Sequence, residues 1–170
     1  MDMDYSIPKA IGKIDWILTN LDNTDVAVRR NAAAWAQYAA LGHLPSEKSG
    51  PLLEAMANKL MAKVNGHVML NEPDEYVRER CANGFELASS AGKNITKYLP
   101  VLEWSRDYDP HEWVRSMARD ALRYHHGLSR DLPLPGSFTT RPSAPMHSDV
   151  RELQSGASKP AAREKFARGA

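Results

Sequence analysis

The sequence predicts an all-α protein: a short α-solenoid of about three helical hairpins, followed by a non-globular C-terminal tail. Three observations predict it. Apolar residues recur at helical spacing through six segments that end near Gly127. Short polar breaks carrying Asp, Asn, Pro and Gly separate those segments. A valine–arginine pair returns in alternate segments, as Val28-Arg29, Val77-Arg78 and Val114-Arg115, and self-similarity of this kind marks stacked repeats.

The first segment, residues 8–21, opens at Pro8, whose fixed φ suits a first helical turn. Ile11, Ile14, Ile17, Leu18 and Leu21 line one face, with Trp16 roughly opposite. Asp25 caps the second helix, residues 25–42; Val28, Ala32, Trp35, Ala36 and Ala39 form its stripe and Gly42 stops it. Its run of small residues from Ala32 to Ala36 lets neighbouring helices approach closely. The third helix, residues 50–70, has Pro51 in its first turn and a core face of Leu52, Leu53, Met56, Leu60, Val64 and Val68. Gly66 is expected to kink or fray it. Asp74 caps the fourth, residues 74–90, with Val77, Cys81, Phe85 and Ala88 inward and Gly84 at a close helix contact. The fifth, residues 94–106, turns Ile95, Tyr98, Leu99 and Leu102 inward, and Pro100 predicts either a kink or a start nearer residue 97. The sixth runs from its cap Asp109 to about His126 on a stripe of Val114, Met117, Ala118, Ala121 and Leu122, and Gly127 closes it.

Residues 1–127 are thus expected to form the helical domain and residues 128–170 the tail. Pro133, Pro135, Pro142, Pro145 and Pro160 share the tail with many Ser, Thr and Gly residues, and large apolar residues are too sparse to offset the ordering entropy. Residues 148–153 and 161–168 each have the length for about two helical turns. The charge divides in the same way. Residues 1–126 carry 15 Lys/Arg against 17 Asp/Glu, and residues 127–170 carry 7 against 4, within a total of +1. The single cysteine, Cys81, excludes an intramolecular disulfide and reads as a small buried hydrophobe. The acidic start Met1-Asp2-Met3-Asp4-Tyr5 shows no secretory signal, and no apolar run approaches the ~20 residues that span a bilayer. A soluble cytoplasmic protein without membrane contact is the expectation.

Laid side by side, Asp25-Val26-Ala27-Val28-Arg29, Asp74-Glu75-Tyr76-Val77-Arg78 and His111-Glu112-Trp113-Val114-Arg115 share one pattern. A small residue follows four places after each valine (Ala32, Cys81, Ala118), and an apolar one four places later again (Ala36, Phe85, Leu122). In this the chain resembles HEAT-type helical repeats, whose second helices often open with Asp and then Val-Arg. The resemblance covers residues 8–126 and implies two-helix units stacked into a solenoid. The spacing is uneven, 49 residues from Arg29 to Arg78 and then 37 to Arg115. Asp25 with Arg29, and Asp74 with Arg78, are four apart and able to pair along a helix. In HEAT repeats such residues also ladder between units, so the three arginines read as structural.

No residues are expected to be catalytic, metal-binding or cofactor-binding. His125 and His126 point ~100° apart and cannot easily share a metal; they suit a helix C-terminus. His111-Glu112 resembles the dipeptides of HEAT-like iron hydroxylases, but one copy does not build that site. Neither a phosphate-cradling glycine loop nor a serine nucleophile elbow is present. The expectation is a binding protein, an adaptor or small subunit whose partner is a protein or a larger protein assembly. Its candidate contacts are the off-stripe aromatics Trp16, Trp104, Tyr108, Trp113 and Tyr124, and the tail residues Phe138, Met146 and Phe166. The alternative is nucleic acid, bound by Arg29, Arg30, Arg78, Arg80, Arg115, Arg119 and Arg123 on the second helices, as the resemblance to HEAT-like DNA glycosylases implies. Interleaved Glu75, Glu79, Glu86, Glu112 and Asp120 weaken that footprint.

Overall fold

Seven α-helices and one small hairpin run through the computed structural model, which describes residues 5–128. They are α1 (Ile7–Gly12), α2 (Ile14–Asn20), α3 (Val26–Leu41), α4 (Ser46–Leu60), β1 (Met61–Val64), β2 (His67–Leu70), α5 (Glu75–Ser90), α6 (Leu99–Tyr108) and α7 (Glu112–His125), with a 3-10 turn at Thr96–Tyr98. Phe138, Met146 and Phe166, and the short helices expected at 148–153 and 161–168, lie outside the described residues.

The helical prediction holds over most of this span, with three corrections. The first helix is two. Lys13, at φ −102° and ψ 8°, leaves the helical range, and its N–H turns back to the Ala10 carbonyl. The apolar stripe survives the break, since Ala10, Ile14, Ile17 and Leu21 are all buried. The third helix begins four residues early, at Ser46, because the N–H groups of Lys48 and Ser49 both bond the Pro45 carbonyl. Pro51 therefore sits inside it, where its missing N–H leaves the Glu47 carbonyl without a helical donor.

The third helix also ends early, at Leu60, and residues 61–70 form an antiparallel hairpin instead of its last turns. Met61 pairs with Leu70 and Val64 with His67. The reversal falls on Asn65 and Gly66, at φ 51° and 82°. A two-residue hairpin turn of this hand needs positive φ at both places, which Asn-Gly supplies at least cost. Val64 and Val68, expected in the core, are consequently exposed, as is Met69. The fifth helix resolves as the later of its two expected starts, with Pro100 in the first turn of α6.

The helices pack in two rows. α3 lies on α5 and α5 on α7, while α2, α4 and α6 each cover the next of these. Small residues permit the close approach. Ala32, Ala33, Ala36, Ala39 and Ala40 of α3 are buried, and Cys81, Ala82 and Phe85 of α5 are fully so. Phe85 meets Tyr98 at 5.3 Å between ring centroids, and burying a side chain of that size contributes about 2–3 kcal/mol. At Gly84 a Cβ would stand 2.1 Å from Met56 Cε and 3.3 Å from the Gln37 backbone, so a larger residue would have to displace the Met56 methyl and press on α3. α5 and α7 finish alike, with Lys93 N–H bonding Ala88 O and Leu128 N–H bonding Arg123 O. Replacing Gly84 with Ala should lower unfolding free energy by about 1–3 kcal/mol, read from the urea midpoint at constant slope; an unchanged midpoint would show that Met56 swings clear.

Candidate interaction surface

The arginines of the three Val-Arg pairs share one local geometry. Each donates Nη1 to the two carbonyls six and five residues before it. Arg29 takes Asn23 O (2.8 Å) and Thr24 O (3.0 Å). Arg78 takes Glu72 O (2.8 Å) and Pro73 O (2.9 Å). Arg115 takes Asp109 O (2.7 Å) and Pro110 O (3.0 Å). The residue six before each arginine also accepts the backbone N–H two places on: Asn23 from Asp25, Glu72 from Asp74 and Asp109 from His111, at 2.9, 3.1 and 2.9 Å. A polar turn is thus folded against its own helix three times over.

Beyond their own turns, Arg29 and Arg78 use their remaining edge. Arg29 holds Glu72 through Nε–Oε2 (3.0 Å) and Nη2–Oε1 (3.1 Å). Arg78 holds Asp109 through Nε–Oδ2 (3.0 Å) and Nη2–Oδ1 (3.3 Å). Both carboxylates are buried, their side chains 3% and 0% exposed. Lys59, also buried, reaches Glu72 at 3.6 Å, so one carboxylate ties α3, α4 and the turn before α5. These contacts correct two expectations. The same-helix pairs Asp25–Arg29 and Asp74–Arg78 do not form. Asp25 instead caps Ala27 N–H and Asp74 caps Val77 N–H. Asp109 is not the cap of α7, whose N-cap is His111; it is the acceptor for Arg78.

The seven-arginine row therefore divides. Arg29 and Arg78 are internal. Arg30 forms a fork on Asp74, with Nη2 at 2.7 Å from Oδ2, and Arg80 lies 4.6 Å over the Tyr76 ring. Arg115, Arg119 and Arg123 form the one row of three, at spacing i, i+4, i+8 on α7, among the seven candidates. Among the described residues Arg119 is exposed and has no partner, and Arg115 has none beyond its two carbonyls. Arg123 pairs with Asp120 at 3.2 Å.

Most of the candidate aromatics gather on the last two helices. Trp104 meets Tyr108 at 6.1 Å between centroids. Tyr108 and Tyr124 are exposed, and Trp113, at 60%, is the most exposed of the large apolar side chains among the described residues. Trp113, Met117 and Tyr124 lie on one stripe of α7, ~80° or more round from the arginines. Trp16 stands apart on α2, where Lys13 Nζ sits between it and Trp35, 5.8 and 5.4 Å from the two rings. The hairpin adds exposed apolar residues: Val64 and Met69 on one of its faces and Val68 on the other, of which the helical reading had placed Val64 and Val68 inside. The Asn65-Gly66 pair between alternating strands was the sequence signal for it.

An open cleft of about 550 Å³ lies between the loops around His43 and Asn94. Its cations are occupied: Lys93 donates to the carbonyls of Ala40 and Gly42, and Lys97 pairs with Glu54 at 2.5 Å. Burial lowers the Lys93 ammonium below its ordinary value, and pushes the Cys81 thiol up to about 12, which keeps it protonated and unreactive. Among the described residues no group of three or more His, Cys, Asp or Glu side chains is placed to hold a metal ion, and no helix is long and apolar enough to cross a membrane. No family model matches the sequence, and no curated protein or solved structure matches it.

Two stability outcomes follow from the clasps. Arg78→Met strands the buried Asp109 carboxylate and should cost about 3–5 kcal/mol; adding Asp109→Asn, which keeps an acceptor for His111 N–H as Asn23 does for Asp25, should restore much of it in urea unfolding. The Arg30 hydrogen bond holds the Asp74 carboxyl below its ordinary value. That contribution is present above about pH 4 and is lost as pH falls through the lowered folded-state value. Melting curves of Asp74→Asn should therefore lie below those of the parent at neutral pH and converge with them in acid.

Proposed function

We propose that the protein is a non-catalytic binding module, a small adaptor or subunit that engages a protein partner through the last hairpin of a short HEAT-like array. The threefold return of one arginine geometry supports the repeat reading. So does the pairing of Arg29 with Glu72 and of Arg78 with Asp109, each an acid from the following unit, since nearest-neighbour contacts are what hold a solenoid together. What most favours a protein partner is the display of Tyr108, Trp113 and Tyr124 on α6 and α7, with Trp104 tilted against Tyr108. Exposed aromatics of this kind are the usual anchors of protein interfaces.

Nucleic acid is the second reading, favoured by Arg115, Arg119 and Arg123 on one helix. It loses ground because four of the seven candidate arginines are engaged by Glu72, Asp74, Asp109 or the Tyr76 ring. The two readings separate in one comparison. Affinity capture with the full chain should retain a protein that Trp113→Ala with Tyr124→Ala releases, while Trp16→Ala keeps it. Short duplex DNA should show no salt-dependent anisotropy change. Capture unaffected by the α7 pair, or tight salt-sensitive DNA binding, would sink the protein-binding reading.

A further inference from the structure

Resting on that protein-binding reading, we infer that the partner binds by an acidic segment, whose carboxylates lie along the α7 row Arg115-Arg119-Arg123. The inference comes from comparing that row with its counterparts. In α3 the row at i, i+4, i+8 is Arg29, Ala33, Gln37; in α5 it is Arg78, Ala82, Glu86. The first row grips the following unit at both ends, Arg29 through Glu72 and Gln37 through Asn83 at 2.8 Å. In α5, Arg78 does the same with Asp109. Ala33 and Ala82, in the middle of each row, are fully buried and leave room for a neighbouring helix.

On α7 the middle residue is Arg119, and it is exposed. A side chain of that length and charge keeps another hairpin of this kind from seating closely. Three guanidiniums follow one another along the row instead, about 6 Å apart in rise. Arg115 is already set for a carboxylate. Its Nη1 is bound to Asp109 O and Pro110 O, as in the two inner copies, so Nε and Nη2 present the edge with which Arg29 and Arg78 take a carboxylate. A second copy of the chain does not supply the match. Its first unit carries Asn23 where the inner units carry Glu72 and Asp109, so head-to-tail stacking would bring an amide to Arg115. A nucleic-acid backbone is the poorer fit, because Arg29, Arg30, Arg78 and Arg80 are held by Glu72, Asp74, Asp109 and the Tyr76 ring and do not extend the row into a broad basic face.

The test uses the full chain with a labelled short poly-glutamate peptide, its poly-glutamine counterpart and a short DNA duplex. The glutamate peptide should bind and the glutamine peptide should not. Arg119→Gln and Arg115→Gln should each weaken binding about tenfold, and Arg106→Gln, whose arginine pairs with Asp107 on α6, should leave it unchanged. Arg119 makes no internal contact among the described residues, so its variant keeps the experiment readable if Arg115→Gln unfolds. The inference is overturned by absence of glutamate binding, by binding that survives Arg119→Gln, or by tighter binding of the duplex through the same arginines. Should Trp113→Ala release a captured partner while Arg119→Gln retains it, the protein-binding reading stands and the acidic segment falls. Should neither release it, both fall.

Discussion

The clasp between an arginine of one long helix and a buried carboxylate in the turn before the next is the constraint from which the arrangement of helices follows. A planar fork offers one edge to two carbonyls of its own turn and the other to Glu72 or Asp109, and neither edge can shift without stranding a buried charge. Apolar side chains of similar size could hold the helices together equally well. What the clasp adds is register, because a slide of one helix by a turn would break both edges together. Glu72 carries most of this burden. It accepts from Arg29 and from Asp74 N–H, stands 3.6 Å from Lys59, and its own N–H bonds the Lys59 carbonyl.

Much of this was legible in the sequence, and what was not has a physical reason. The Val-Arg pairs, the Asp25 and Asp74 caps, the buried Cys81 and the close contact at Gly84 all depend on local spacing, which sequence displays. The partners of the arginines do not. Asp25 and Asp74 lie one turn away, but they satisfy helix N–H groups. The carboxylates that win lie 43 and 31 residues away, in turns where an acid otherwise looks like a solvated helix start. Met56, Leu60, Val64 and Val68 keep helical spacing across the start of a strand, so periodicity alone carried α4 too far. The Asn65-Gly66 pair outweighed it, since both residues adopt positive φ readily.

The candidate surface was legible as a set of residues and illegible as a surface. Seven arginines on the second helices look equivalent in sequence, and the aromatics look scattered. Position in the packing order separates them: a residue that grips a neighbour in α3 or α5 meets, at α7, no following helix among the described residues. That is why Arg29 and Arg115, alike in motif and in their carbonyl contacts, differ in what they offer to solution.

The hairpin at residues 61–70 leaves and rejoins the helical body at nearly one point. Glu72 N–H bonds Lys59 O, and the Asn71 side chain bonds Asn58 O, so the base is stapled shut. Extra length in this stretch is spent outward, without altering the distance from Arg29 to Glu72. The position is therefore a natural graft point, where loops of other lengths, or a whole foreign domain, can be spliced in while the register of the helices stays fixed.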